Sequence, residues 1–496
     1  MRRLPLFVSV MSVMSMVAVG VAGAEARPPK PMHGSACDHG HHATTSWRPT
    51  GEESAARRIR RARAALVCED DTGVLGQEPM LAINRRGTLF LGMASGEGVL
   101  TQKGFLNGTA RSYLLRSRDD GHTWQRIALP KGINTSEGVP YIDRATDRLW
   151  VTSTNLSLHP CGAPVAWSDD EGASWHTTKR RPGCSPLSIG DWPKVFTGPY
   201  GAHRPADATS SRAAYVCNYI PAIWVALKVG CWRSDDDGQH FSYVGALPVK
   251  SLVCRAGDVS AGSFHTIVHG TGQVLGNGEV VVPVNLCGTM IVVRSSDHGK
   301  SWQVSRAIGR AGSLRAFLTD GESLAQNIFM NMFYDQALAQ DAHGNLFLGY
   351  VRKGVHLAVS RDGGRTWRAL GRISPPGVKG AFNVSVTARG KGQVALAWWG
   401  TGKLTDPLLG FGEKYRGWMT YSRNALARRP AFRSAPTSAV RAPQITNTLG
   451  CCASAQMFIE YSGVAFTGKR RIRAAFARFH GGALPTLVLG RMQLPR

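Results

Sequence analysis

A chain of 496 residues with 59 Lys and Arg against 33 Asp and Glu, a formal net charge of +26, can bury a large core and presents a positive field outward. That balance excludes a basic partner and points to polyanions, although basic residues scattered from end to end are also what an Arg-rich compositional bias would leave. Ten cysteines without a single CxxC pair exclude a zinc ribbon and suit disulfides formed outside the cytoplasm.

Residues 1–26 open with Arg2 and Arg3, run through apolar residues from Leu6 to Val21, and end in Ala22-Gly23-Ala24-Glu25-Ala26, the pattern of a secretory signal peptide. Pro28, Pro29 and Pro31 follow, and no later stretch is apolar enough to cross a bilayer, so a secreted, extracellular protein with no transmembrane segment is expected. Residues 27–70 read as a flexible basic leader with little ordered structure, containing Cys37-Asp38-His39-Gly40-His41-His42 and the dense cluster Arg57-Arg58-Ile59-Arg60-Arg61-Ala62-Arg63. The His tract offers loose ligands, but free tails carry His and Gly without ligand geometry, and no metal or other cofactor is expected.

From residue 71 the texture changes to short apolar β-type runs such as Leu89–Met93, Val280–Val284 and Leu346–Tyr350, separated by Gly, Asn and Asp turns. Five copies of Ser-Xaa-Asp-Xaa-Gly-Xaa-Xaa-aromatic punctuate them, opening at Ser117, Ser168, Ser234, Ser295 and Ser360 and closing at Trp124, Trp175, Phe241, Trp302 and Trp367. A sixth, Ser422-Arg423-Asn424, loses the Gly and the aromatic, with Phe432 as a displaced remnant. In each copy the Ser and Asp side chains bond the turn backbone, Gly supplies a positive φ, and the aromatic packs beneath. The period of roughly 50–65 residues fits one four-stranded blade per repeat. An all-β, six-bladed β-propeller over residues 71–496 is therefore expected, with seven blades possible. Gly76–Gly92 supplies inner strands of the first blade, and closure pairs that segment with strands at 472–479 and 484–489. Cys161 with Cys184, Cys217 with Cys231, and Cys254 with Cys287 each bracket a segment short enough for a local disulfide; Cys451 and Cys452 either bridge each other or bond elsewhere, for example to Cys37 or Cys68.

These Asp boxes resemble those of the sialidase (neuraminidase, BNR-repeat) superfamily over nearly the whole chain beyond the leader. The resemblance implies a propeller of sialidase type and, for a hydrolase, three arginines clamping the substrate carboxylate, a tyrosine nucleophile beside a glutamate, and an acidic proton shuttle. By position it makes Tyr461, in the pair Tyr461-Ser462 before a strand, the nucleophile, Glu322 its glutamate, Glu97 the acid/base and Arg352 a clamp arginine. The first clamp arginine is replaced: the corresponding stretch reads Gly76-Gln77-Glu78-Pro79, and a carboxylate there would repel sialic acid. No third arginine stands out between the fifth box and Tyr461.

Plain structural roles fit the same residues: Glu322 beside Gly321 as a turn residue, Arg352 as a strand end, Tyr461 as a core aromatic, Glu97 as an exposed loop acid. Two readings follow. One is a sialidase-like exo-glycosidase acting on acidic sugars; the other is a non-catalytic propeller binding anionic glycans, a cell-wall polymer or a protein partner. A polysaccharide lyase using His265 as base is a third. No stacked aromatic and basic strand pattern supports a specific nucleic-acid partner, and a monomer is expected.

Overall fold

The computed structural model describes residues 37, 41–49, 57–59, 64–95, 113–133, 138–154, 161–184, 193–220, 228–248, 267–286, 289–305, 308–310, 337–352, 354–402, 414–438, 445–446, 462–478 and 486–496. Among these residues every regular element is a strand, and no helix is long and apolar enough to cross a membrane. The strands form seven antiparallel blades around a central channel, the higher of the two counts that the sequence allows.

Blade 1 comprises the second half of Leu66–Ile83, then Leu89–Ser95, Tyr113–Ser117 and Gln125–Ala128. Blade 2 runs from Val139–Ile142 to His176–Thr177, blade 3 from Lys194–Pro199 to Ser242–Ala246, and blade 4 from Ile267–His269 to Gln303–Val304. Blade 5 runs from Leu338–Gln340 to Arg368–Arg372 and blade 6 from Gly380–Arg389 to Phe432–Pro436. Blade 7 holds Gly463–Gly468, Arg471–Arg478 and Thr486–Gln493, and takes its fourth strand from the first half of Leu66–Ile83.

That exchange explains the blade count. An Asp box is the turn from the third to the fourth strand of a blade, and the closing blade has no such turn because its fourth strand comes from the other end of the chain. Six boxes thus mark seven blades. The same long strand corrects the expected closure: Leu66–Leu75 pairs with Thr486–Gln493, while the inner strand of blade 1 begins at Gly76. Glu69, buried in this closing strand, is ion-paired with Arg478 and accepts a hydrogen bond from Thr437 Oγ1 at 2.8 Å.

The stretch read as a leader is in part structural. Thr45–Arg48 pairs with Phe432–Ser434 on the outer edge of blade 6, Arg57–Ile59 pairs in turn with Ser46–Arg48, and His42–Ala43 pairs with Leu66–Val67. An edge strand whose N–H and C=O groups would otherwise stay unpaired is thereby covered. Cys37 is disulfide-bonded to Cys68, which closes the option that either joins Cys451 or Cys452. The expected bonds Cys161–Cys184 and Cys217–Cys231 are present, the latter between directly paired strand residues. Cys254, Cys287, Cys451 and Cys452 lie outside the described residues.

Middle strands lie between neighbouring blades and read as continuous apolar runs because both faces are covered; Leu346–Val351 is buried throughout. Val280–Leu286 carries Pro283 at its centre, which lacks the N–H a ladder needs, and the inner strand beside it is split into Ile267–His269 and Gln273–Val274.

The boxes fold as their residues dictate. In the second, Ser168 Oγ donates to Asp170 at 2.7 Å and accepts the Gly172 N–H at 2.7 Å, while Asp170 accepts the Ser174 N–H at 2.8 Å. Left-handed backbone extends over two residues, not Gly alone: φ is 60° at Glu171 and 86° at Gly172, and the other four complete boxes repeat the pair. The glycine has a second role. A Cβ on Gly238 would lie 2.5 Å from the Trp150 ring of the preceding blade, so the box glycine also lets blades approach. In the sixth box Ser422 Oγ still reaches Asn424 at 3.3 Å, and Phe432 is fully buried.

Each seam between blades is clasped by an arginine donating to a turn carbonyl of the next blade. Arg116 Nη1 reaches Glu171 O at 2.9 Å, Arg148 Nη1 Asp237 O at 3.2 Å, Arg233 Nη1 His298 O at 3.4 Å and Arg294 Nε Gly363 O at 3.0 Å. Arg361 bonds Leu426 O, Arg389 bonds the carbonyls of Gly468 and Lys469, and Arg473 Nε closes the ring on Asp120 O at 3.4 Å.

Candidate functional site

Antiparallel order gives the ring two ends. Turns from first to second strand and the Asp boxes share one end; the inner strands begin at the other. At the box end the inner strands of all seven blades enclose a cavity of about 460 Å³ whose polar lining includes Tyr141, Asp143, Arg144, Arg212, Gln340 and Asp341.

Arg144 sits in the first turn of blade 2 and reaches across the channel to blade 6, where Nη2 lies 3.5 Å from Thr387 Oγ1. Arg144 is exposed to the solvent of the channel, and desolvation by the surrounding walls lowers its pKa below that of an ordinary arginine, with the Tyr141 phenol opposing the effect. The two carboxylates of the lining are occupied elsewhere. Asp143 accepts Arg212 Nε at 2.7 Å and the Ala145 N–H at 2.9 Å; Asp341 holds its own turn through His343 N at 2.9 Å and Asn345 N at 3.0 Å, and accepts Gly392 N of blade 6 at 2.8 Å. Tyr141, its pKa raised by burial and by Asp143, accepts the Thr197 N–H at 3.2 Å. Among the described residues Arg144 has no carboxylate partner, and its guanidinium fork is available to an anion in the channel.

Arg352 occupies the opposite end, in the turn between the second and third strands of blade 5. It is half-buried; its N–H donates to Gly354 O at 2.9 Å and its carbonyl lies 2.8 Å from His356 Nε2. His356 is buried against the Tyr350 ring, and burial, with Arg372 and Arg352 nearby, holds it at a pKa of about 4. Tyr461, Glu322, Glu97 and His265 lie outside the described residues. Ser462, next to Tyr461, is buried at the start of blade 7's inner strand and donates to Asn383 O at 2.8 Å in blade 6. Gln77 pairs through its backbone with Ala94, and Glu78 is buried with a left-handed φ of 54° where the ladder slips by a bulge. Glu78 therefore places a buried carboxyl group at the start of this inner strand.

Sequence reasoning passed over Arg144, which reads there as one more arginine in a turn, Asp143-Arg144-Ala145-Thr146-Asp147. It also passed over Lys194, fully buried at the start of blade 3's inner strand. The available signal was an arginine directly after an inner strand, a position that a channel-lining residue must take.

No protein-family model and no curated protein matches the chain. Solved structures similar to it include a Hadza microbial sialidase, Hz136, at 15% identity and a TM-score of 0.36, covering 88% of this chain and 71% of that one. A leech intramolecular trans-sialidase complexed with 2,7-anhydro-Neu5Ac is 15% identical with a TM-score of 0.41, covering 84% of this chain and 68% of that one. YCF48 bound to D1 peptide is 12% identical with a TM-score of 0.41, covering 87% and 97%. The architecture of this chain is a seven-bladed propeller by its own strand pairing, and its chemistry rests on its own residues.

Proposed function

We propose that this protein is a secreted propeller that binds acidic glycans through guanidinium groups left without carboxylate partners, and that it does not hydrolyse sialic acid. The observation that carries the reading is Arg144, a guanidinium in the central channel whose neighbouring carboxylates, Asp143 and Asp341, are already engaged. A planar guanidinium matches a carboxylate through two parallel hydrogen bonds, and one exposed within a channel is accessible to such a ligand. Glu78 supports the negative half of the proposal, since a buried carboxyl group replaces positive charge where a sialic acid clamp would need it. The test is capture of the purified protein by immobilised polygalacturonate, with release as salt rises. Retention unchanged between about 0.05 and 1 M salt would overturn the electrostatic account, because such charges are screened across that range.

A second reading is an exo-glycosidase with Tyr461 as nucleophile, Glu322 activating it, Glu97 shuttling the proton and Arg352 holding an anionic group. It is favoured by two observations: Ser462 is fixed at the start of blade 7's inner strand, and Arg352 is carried at that same end of the ring. Turnover of a fluorogenic sialoside or uronide that disappears in Tyr461→Phe would establish it in place of the binding reading.

A further inference from the structure

The broken sixth repeat has a consequence at the seam between blades 5 and 6. At four of the five seams that enter a complete box a carboxylate pairs with the clasp arginine, and at the seam into the second box a carboxylate pairs with Arg118, two residues from the clasp Arg116. Glu171 pairs with Arg118 at 2.7 Å, Asp169 and Asp237 with Arg148 at 2.7 and 3.2 Å, Asp235 with Arg233 at 2.7 Å, Glu279 with Arg294 at 3.0 Å, and Asp120 with Arg473. The seam into the sixth box departs from this. Arg361 donates to Leu426 O, and Arg368 Nη2 donates to Leu426 O at 3.4 Å and to Ala427 O at 3.2 Å. Partial burial and the like charge of Arg361 both lower the Arg368 pKa. Leu426 stands where the other boxes have Gly, and Arg428 and Arg429 follow, both exposed. Between the blades lies a groove of about 440 Å³ lined by Arg361, Arg368, Arg428, Trp367, Leu426 and Val359, together with Thr366.

We propose that this groove is the principal docking site for a carboxylate-bearing polysaccharide, an inference that rests on the acidic-glycan reading above. Three guanidinium groups converge on a groove where no carboxylate pairs with them among the described residues, so its electrostatics are complementary to an anionic chain. The half-buried Trp367 is held by its own indole N–H on Gly364 O at 3.1 Å and, with the buried Leu426 and Val359 beneath, offers an apolar ring suited to the C–H face of a pyranose. One aromatic among aliphatic side chains favours a sugar over a nucleic acid, which would call for successive rings on which bases stack.

The experiment compares polygalacturonate binding by the wild type and by three variants of the full chain: Arg428→Gln, the double change Arg368→Gln with Arg428→Gln, and Arg180→Gln as a control of equal charge outside the groove. Arg428 makes no clasp, so its loss leaves the seam intact, and thermal melts confirm that each variant folds. Losing one charge-assisted contact should weaken binding about tenfold, the double change more, and the control little. If the wild type binds and the double variant binds equally well, the groove is not the site and the acidic-glycan reading stands on other arginines. If the wild type does not bind polygalacturonate at all, that reading falls and the groove assignment with it. Tighter binding of a single-stranded oligonucleotide, lost in the same variants, would overturn the choice of polysaccharide.

Discussion

At the scale of single residues the Asp box is a hydrogen-bonding device whose Asp and Ser are both committed. Burial alone would raise Asp119, but bonds from Thr123, Ser117 and His122 hold it at about 2, and the hydrogen bonds of Ser174 and Ser168 hold Asp170 well below the carboxylate range. A carboxylate depressed in the folded state contributes stability above its unfolded pKa, and that contribution is lost as pH falls through the folded one. His356 acts earlier on the same axis. Its folded pKa of about 4 lies below the ordinary 6.5, so the unfolded chain takes up a proton first and stability declines as pH falls between the two. The melting temperature of the wild type should therefore drop between pH 6.5 and about 4 by more than that of His356→Gln, while both fall further below it; parallel curves would contradict the assignment. Ser168 is fully buried, and Ser168→Ala leaves the Gly172 N–H without its acceptor. A cost of about 1–3 kcal/mol, read from denaturant unfolding, is expected.

At the scale of the element, the arginine clasp is the feature least legible in the sequence. The repeats were legible because each box bonds within eight consecutive residues, and local chemistry leaves a local pattern. A clasp joins an arginine to a carbonyl in the next blade, 55 residues away for Arg116 and Glu171, and a carbonyl has no signature in the residue type. Arginines that read as surface charge or compositional bias are thus partly structural. Glu279 shows what a seam stores: it is buried and faces both Arg294 and Arg365. Glu279→Gln leaves two guanidinium groups without their counter-charge and should cost about 3 kcal/mol, with a clear fall in melting temperature. A neutral result would mean that the seam is held by packing alone.

At the scale of the whole molecule, the sequence left the count at six blades with seven possible because the closing strand carries no box, and the segment read as a loose leader lies partly along the outer edge of blade 6. Both departures have one origin. Strand pairing across nearly the full chain length, Leu66 with Gln493 and Thr45 with Ser434, leaves no trace in local composition. The candidate site was less legible still. Of the residues singled out by resemblance, Arg352 lies at the end where inner strands begin and Tyr461, Glu322 and Glu97 lie outside the described residues, whereas guanidinium groups that lack carboxylate partners face the channel and the fifth seam at the box end. Among the described residues the arginines consequently divide into those neutralised by ion pairs and those, such as Arg144, Arg361, Arg368 and Arg428, with no carboxylate partner, of which Arg361 also clasps a carbonyl.

The measurement that tests this account most directly compares two forms of one polymer, polygalacturonate and its fully methyl-esterified counterpart, which share a backbone and differ in charge. The account predicts that the purified protein binds the free acid at low salt, releases it as salt rises, and ignores the ester. Equal binding of the two forms, or binding of neither, would contradict it.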